Sequence, residues 1–183
     1  MNGLKVNLSF FSYHLVFMPP FTPIFIPGLL CTEFLFAKQR ATLSNAGLIS
    51  DTTQHDSINE MAQFALDQCT GALVPVGFSM GGYVALEMAR LAPERIAGMA
   101  LLSTNVGVDS DERANDRRQA IKLASHKGFR GITESFLSQL ISKSARIDEV
   151  LTKNILAMAS DIGREGFVSS KPLFWDVVTK KTR

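Results

Sequence analysis

The sequence predicts an α/β fold, in which a mostly parallel sheet is flanked by helices. The first observation is that short apolar segments alternate with segments of helical periodicity between residues 23 and 102, a pattern typical of parallel sheets covered on both faces. The second is the length of 183 residues, which fits one domain able to bury a core without disulfides or metals. The third is the composition, 46% hydrophobic and 20% charged, which indicates a folded rather than a disordered chain.

The elements follow one another in a regular order. We predict a strand at 23–27, a weaker strand at 46–50, a helix at 58–69, a strand at 72–76, a helix at 81–91 and a strand at 96–102. Ser57 and Glu60 form an S-x-x-E capping box, which marks the start of the first helix. Pro93 stops the second helix, because a proline cannot continue the helical hydrogen bonds.

After residue 109 the strand pattern ends and helical patterns take over. We predict helices at 109–124, 133–141 and 148–159, the last ended by Gly163. We interpret residues 109–163 as a helical cap. Phe136, Leu140 and Met158 are the candidates for lining a pocket beneath it. No linker or repeat divides the chain, so residues 1–183 are expected to form one domain with an atypical C-terminus at 169–183.

The apolar N-terminal segment favours short strands over a membrane helix or a leader. Pro19, Pro20, Pro23 and Pro27 interrupt the run of apolar residues at 6–30. A spanning helix needs about 20 uninterrupted apolar residues, and each interior proline costs a helix about 3 kcal/mol. No small-x-small cleavage site follows the apolar part. We therefore expect no membrane association.

Charge and cysteine content exclude several function classes. The chain has 19 Lys and Arg against 17 Asp and Glu, a formal net charge of +2. Nucleic-acid binding as the main role is not expected, because it requires a dense basic face. Cys31 and Cys69 form no CxxC pair and no ligand cluster, which excludes a disulfide scaffold and a zinc ribbon. We expect no metal, no cofactor and a reducing, cytoplasmic location.

The motif that carries chemistry is Gly77-Phe78-Ser79-Met80-Gly81, a G-x-S-x-G sequence. An apolar strand runs into it and a helix runs out of it, so Ser79 is predicted at a strained turn at a helix N-terminus. Gly77 and Gly81 remove side chains where strand and helix nearly collide. The helix dipole there favours a developing anion. The alternative interpretation is a helix N-cap serine in a glycine-rich packing site.

Together with three other segments, this motif resembles the α/β-hydrolase superfamily, and within it the small serine esterases. The matching segments are FIPGLL at 25–30, DTTQHDS at 51–57, residues 76–104 and the helical stretch to about Val168. The resemblance implies a partial α/β-hydrolase fold with Ser79 as the nucleophile. It also implies an oxyanion hole made by the backbone N–H groups of Leu29 and Met80. The implied substrates are small carboxylic esters or thioesters.

The resemblance also implies an acid and a histidine after the serine, and neither is evident. The only histidine after Ser79 is His126, which has the pattern of a surface residue in the cap. His14 and His55 precede the serine and fit the family's order less well. Asp109 and Asp111 follow the strand at 96–102, where a few relatives place the acid, but the alternative is that they are charges at a helix N-terminus, which the dipole favours. A catalytically incomplete relative, with a binding role or no activity, is therefore the alternative to an active hydrolase.

The ends of the chain depart from the resemblance. Residues 1–22 match nothing in the family, and the match fades after Phe167 and Val168, so the part that carries the family's acid and histidine is expected to be missing. Early termination and divergence both explain this pattern. An unpaired edge on the strand at 96–102 would favour self-association, unless a short segment covers it. The candidates for that segment are Phe174, Trp175, Val177 and Val178.

Overall fold

The structure is a computed structural model that describes residues 21–43, 47–105, 112, 115, 132, 137–138 and 140–169. Its centre is a parallel sheet of four strands in the order β2-β1-β3-β4. The strands are β1 (Phe21–Ile26), β2 (Leu48–Ile49), β3 (Ala72–Phe78) and β4 (Ala100–Leu102). The helices are α1 (Ala37–Thr42), α2 (Ile58–Asp67), α3 (Met80–Leu91) and α4 (Glu149–Ser169), with short 3-10 turns at Glu33–Phe36, Pro93–Arg95 and Ala145–Ile147. The predicted parallel sheet flanked by helices is confirmed.

The register of the sheet brings the carboxyl ends of three strands to one edge. Ile26 of β1 lies opposite Gly77 of β3, and Gly77 lies opposite Leu101 of β4. The residues that follow these strands therefore meet at the same place. In open α/β sheets, ligands bind at the carboxyl ends of the strands.

The core lies where α2 and α3 pack together and α3 packs on the sheet. Its fully buried members include Ile24, Ile26, Met61, Leu73, Val84 and Met88. Burial of each such side chain stabilises the fold by about 1.5–3 kcal/mol. The helical spacing of the apolar residues on α2 and α3 produces this packing, because it places them on one face of each helix.

Polar contacts fix both ends of α2. The Glu60 N–H donates to Ser57 Oγ at 3.1 Å, so the predicted capping box starts the helix. At the other end the Arg95 guanidinium donates to the carbonyl oxygens of Leu66 (2.9 Å), Gly71 (3.1 Å) and Cys69. Carbonyls near a helix C-terminus have no partner within the helix, so Arg95 ties α2 to the start of β3.

Several boundaries differ from the predicted ones. The strand predicted at 96–102 is shorter, because β4 begins at Ala100 and Ile96 makes only an isolated bridge with Leu73. Gly163 has a φ of 63° and a non-helical backbone, so it divides α4 into two helical parts, and the first part ends there as predicted. The helix predicted at 148–159 therefore runs a few residues further, up to Gly163.

Other predicted segments lie wholly or largely outside the described residues: 1–22, the helices at 109–124 and 133–141, and 169–183. Within the part of the chain that is described, no helix combines the length and apolar character needed to cross a bilayer. On its side away from β3, β4 has no strand partner among the described residues, and Leu102 at its end is 41% exposed. The expected self-association through this edge stays a prediction.

Candidate active site

Ser79 occupies the turn between β3 and α3 with a left-handed backbone. Its φ is 52° and its ψ is −112°. Residues other than glycine enter this region of backbone conformation only at a cost in energy. The Ser79 N–H donates to the Leu102 carbonyl at 2.8 Å, and the Gly82 N–H donates to the Ser79 carbonyl at 3.0 Å. The Ser79 side chain makes no capping hydrogen bond to α3. It is therefore not a side-chain N-cap, which was the alternative interpretation.

The glycines around Ser79 are required because backbone occupies the space of a side chain. A Cβ on Gly77 would overlap the Gly81 carbonyl and lie 2.7 Å from Gly82 Cα. A Cβ on Gly81 would overlap the Ile26 carbonyl and lie 2.8 Å from the Pro27 carbonyl oxygen. The motif thus lets α3 start directly against β1 and β3. This close approach holds the Ser79 backbone in its strained conformation.

The loop after β1 lies beside Ser79. A Cβ on Gly28 would be 3.2 Å from Ser79 Cβ and 3.1 Å from the Phe78 carbonyl oxygen. Leu29, the next residue, is half-buried and packs against the core. Met80 is the first residue of α3 and is 2% exposed. Of the two residues expected to supply oxyanion donors, Met80 directly follows Ser79, and Leu29 directly follows Gly28, which lies against Ser79.

After the end of β4, Thr104 makes a contact at the start of α3 that the sequence did not predict. Ser103 is exposed and has a φ of 48°. Thr104 places its side chain where a Cβ on Gly82 would lie, and its Oγ1 is buried with no partner in the described part of the chain. Gly82 was the sequence signal for this contact. It is a third glycine, directly after Gly77 and Gly81 of the motif, and indicates another close neighbour at the start of α3.

His55, in the segment after β2, is the candidate histidine that lies in the described part of the chain. The His55 ring packs on Phe64 with centroids 4.9 Å apart, and its Nε2 is buried without a partner among the described residues. Burial alone would raise the pKa of Asp51, but hydrogen bonds from Thr53 (2.7 and 2.8 Å) and Gln54 outweigh it and lower that pKa. The Asp51 carboxylate is thus the hydrogen-bond acceptor for its neighbours Thr53 and Gln54 in this loop.

Several nominated residues lie outside the described part: His14, Asp109, Asp111, His126 and Phe136. Of the other residues expected to line an acyl pocket, Met158 is 5% exposed and Leu140 is 52% exposed. Their role in a pocket stays a prediction. Across the described ranges, no three His, Cys, Asp or Glu side chains are grouped to hold a metal ion.

Comparison with known proteins places this geometry in context. A sequence model described as the alpha/beta hydrolase fold matches residues 38–141, more than half of the chain. Pimeloyl-[acyl-carrier protein] methyl ester esterase of Photobacterium profundum is 42% identical over 50 residues, which are 27% of this chain and 20% of that protein. The chain therefore aligns with only a fifth of the length of this curated relative.

Two solved structures share the fold. A thermophilic esterase from Thermogutta terrifontis aligns with a TM-score of 0.68 and 22% identity, over 85% of this chain and 63% of that one. MenH from S. aureus aligns with a TM-score of 0.59 and 18% identity, over 83% and 67% respectively. At these identities the matches describe a common architecture, of which this chain spans about two thirds.

Proposed function

The chain belongs to the α/β-hydrolase fold family, and from this premise we propose that it is a serine hydrolase of small carboxylic esters or thioesters. Ser79 is the proposed nucleophile. The observation that carries the proposal is the strained Ser79 backbone, with a φ of 52°, at the carboxyl edge of the sheet and beside Gly28. Strained residues persist where the surrounding structure holds them, and they cluster at active sites.

In the proposed reaction, Ser79 Oγ attacks the carbonyl carbon while a base takes the hydroxyl proton. The electron pair of the carbonyl moves onto its oxygen, which accepts hydrogen bonds from the N–H groups of Leu29 and Met80. Collapse of this intermediate expels the alcohol or thiol, which takes up the proton, and water then hydrolyses the acyl-serine. Each oxyanion donor is worth about 3–4 kcal/mol in related chemistry.

The base is the open element of the proposal. His126 is the only histidine after Ser79 in the sequence, and its pattern is that of a surface residue in the predicted cap. This observation favours a second candidate function, a catalytically incomplete relative with a binding role. A serine without a base is a weak nucleophile, so the reactivity of Ser79 separates the two candidates.

As part of the same proposal, residues 109–163 form a cap over the acyl group.

Covalent labelling with a fluorophosphonate probe tests the proposal, together with hydrolysis of p-nitrophenyl acetate. Wild-type protein should be labelled and Ser79→Ala should not. The matched control is Ser103→Ala, because Ser103 also follows a strand and also has a positive φ. This control should keep the wild-type labelling. Equal labelling of Ser79→Ala and wild type would sink the assignment, and a folded wild type that takes up no probe would favour the binding role.

A further inference from the structure

Hydrogen bonds hold the strained backbone of Ser79 on both sides. The Ser79 N–H donates to the Leu102 carbonyl at 2.8 Å, and the Ser79 carbonyl accepts from the Gly82 N–H at 3.0 Å. The first partner belongs to β4 and the second to α3. A strained conformation persists only where the surrounding structure holds it. If β4 and the start of α3 moved apart, the turn could relax and Ser79 Oγ would move with it.

Thr104 joins the two segments that supply these partners. It lies two residues after Leu102 in the chain, and its side chain packs on Gly82. Its Cγ2, Cβ and Oγ1 atoms lie 2.5, 2.6 and 2.6 Å from the position that a Cβ on Gly82 would take. They are the three nearest atoms to that position. Thr104 therefore fills the side-chain space that Gly82 leaves open.

The shape of the Thr104 side chain, and not its hydroxyl, accounts for this contact. Oγ1 is buried and has no hydrogen-bond partner in the described part of the chain. A buried hydroxyl without a partner lowers stability. A side chain branched at Cβ is stiff at χ1, so the branch holds its atoms against Gly82. Valine has the same branch without the hydroxyl.

We infer that Thr104 is a positioning residue for the nucleophile: by packing on Gly82 it keeps the end of β4 against the start of α3, and so keeps Ser79 Oγ in place for attack on the ester carbonyl. The inference rests on the proposed function, because it needs Ser79 as the nucleophile. It adds to that function a residue that acts through Leu102 and Gly82. A displacement of about 1 Å at a reacting group can cost about 100-fold in rate.

The test compares Thr104→Gly with Thr104→Val in p-nitrophenyl acetate hydrolysis, well below the melting temperature. In Thr104→Gly we expect kcat to fall about 100-fold with KM within about twofold of wild type, since the geometry of attack is lost and substrate binding is not. Thr104→Val should keep kcat within about threefold, because its branch fills the same space. It should melt at the same or a higher temperature than wild type, because it removes an unpaired hydroxyl. Fluorophosphonate labelling rates should follow kcat.

A double variant restores the contact from the other side. Gly82 lies within α3 and does not have a positive φ, so alanine fits its backbone. Gly82→Ala combined with Thr104→Gly places a methyl group in the space that Thr104 fills. This variant should recover kcat to within about tenfold of wild type, since residues in contact are energetically coupled. It also keeps the inference testable if Thr104→Gly alone does not fold.

The outcomes separate this inference from the proposed function. Wild-type kcat in a folded Thr104→Gly variant would overturn the inference and leave the role of Ser79 intact, because Thr104 would then serve stability alone. A loss of kcat in Thr104→Val, or no recovery in a folded double variant, would also overturn it, because packing on Gly82 would not be the cause. A wild type that takes up no probe at Ser79 would overturn both proposals.

Discussion

Ser79, Leu30 and Ser103 each follow a strand of the sheet and have a positive φ, and the turns that hold Ser79 and Leu30 make an informative pair. Only the Ser79 turn is visible in the sequence. In the β3–α3 turn, backbone atoms fill the Cβ positions of Gly77 and Gly81 on either side of Ser79. In the turn after β1, Leu30 has a similar φ of 59° without a glycine signal of that kind. Backbone crowding therefore leaves a glycine pattern in the sequence, whereas strain balanced by a buried side chain leaves none.

The energetic balance differs between the two turns. A left-handed conformation costs an L-residue about 1–2 kcal/mol. For Ser79 the hydrogen bonds with Leu102 and Gly82 and the packing of α3 hold the backbone. For Leu30, burial of the side chain contributes about 2 kcal/mol, and the Cys31 N–H closes the turn. The first turn therefore depends on main-chain fit and the second on core packing.

The largest expected effect is on the β3–α3 turn. In Gly81→Ala the new methyl group would overlap the Ile26 carbonyl, and backbone cannot move aside cheaply. We expect the free energy of unfolding to fall by about 3 kcal/mol, measured by urea denaturation.

The matched control for this variant is Gly71→Ala. Gly71 has a φ of 85° and nothing within 4 Å of its Cβ position, so it tests backbone conformation without crowding. The expected loss in free energy of unfolding is about 1 kcal/mol. Equal losses in the two alanine variants would contradict the claim that crowding dominates at Gly81.

The second effect concerns the turn after β1 and depends on pH. Burial raises the pKa of the Cys31 thiol from its ordinary value of 9.0 to about 11. The unfolded chain then loses this proton near pH 9 while the folded chain keeps it, so deprotonation favours unfolding. The folded state keeps its full stability below pH 9 and loses about 3 kcal/mol of it between pH 9 and 11, since each pH unit between the two pKa values contributes about 1.4 kcal/mol.

Urea denaturation across this pH range measures the effect. The fall in free energy of unfolding should be less steep in Cys31→Ser, because a hydroxyl does not titrate there. Identical pH profiles for the wild type and the serine variant would show that burial of the thiol does not contribute.

The smallest effect returns to Ser79. Ser79→Gly and Ser79→Ala both remove the hydroxyl, but only glycine tolerates a φ of 52° without strain. We expect the glycine variant to be more stable than the alanine variant by about 1 kcal/mol, measured by thermal or urea unfolding. An alanine variant at least as stable as the glycine variant would mean that the Ser79 backbone stores no strain.

Much of the fold was predictable from local patterns. The capping box at Ser57 and the helical spacing that follows it predicted α2, and the apolar run before Gly77 predicted β3. Boundaries were less accurate where tertiary contacts decide them. The residues between Ile96 and Ala100 are apolar enough for a strand, yet the ladder to β3 includes only the last part of that segment.

The α/β alternation and the glycine-flanked Ser79 turn follow from the order of the residues alone. Both depend on properties of neighbouring residues, namely side-chain periodicity and the absence of Cβ atoms. Three other features depend on tertiary packing: Gly28 lies against Ser79, Leu30 has a left-handed backbone, and Thr104 packs on Gly82. The first and third of these features join residues that follow different strands, and parallel strands are brought together only through long crossover connections, so their contacts depend on packing between segments distant in the chain.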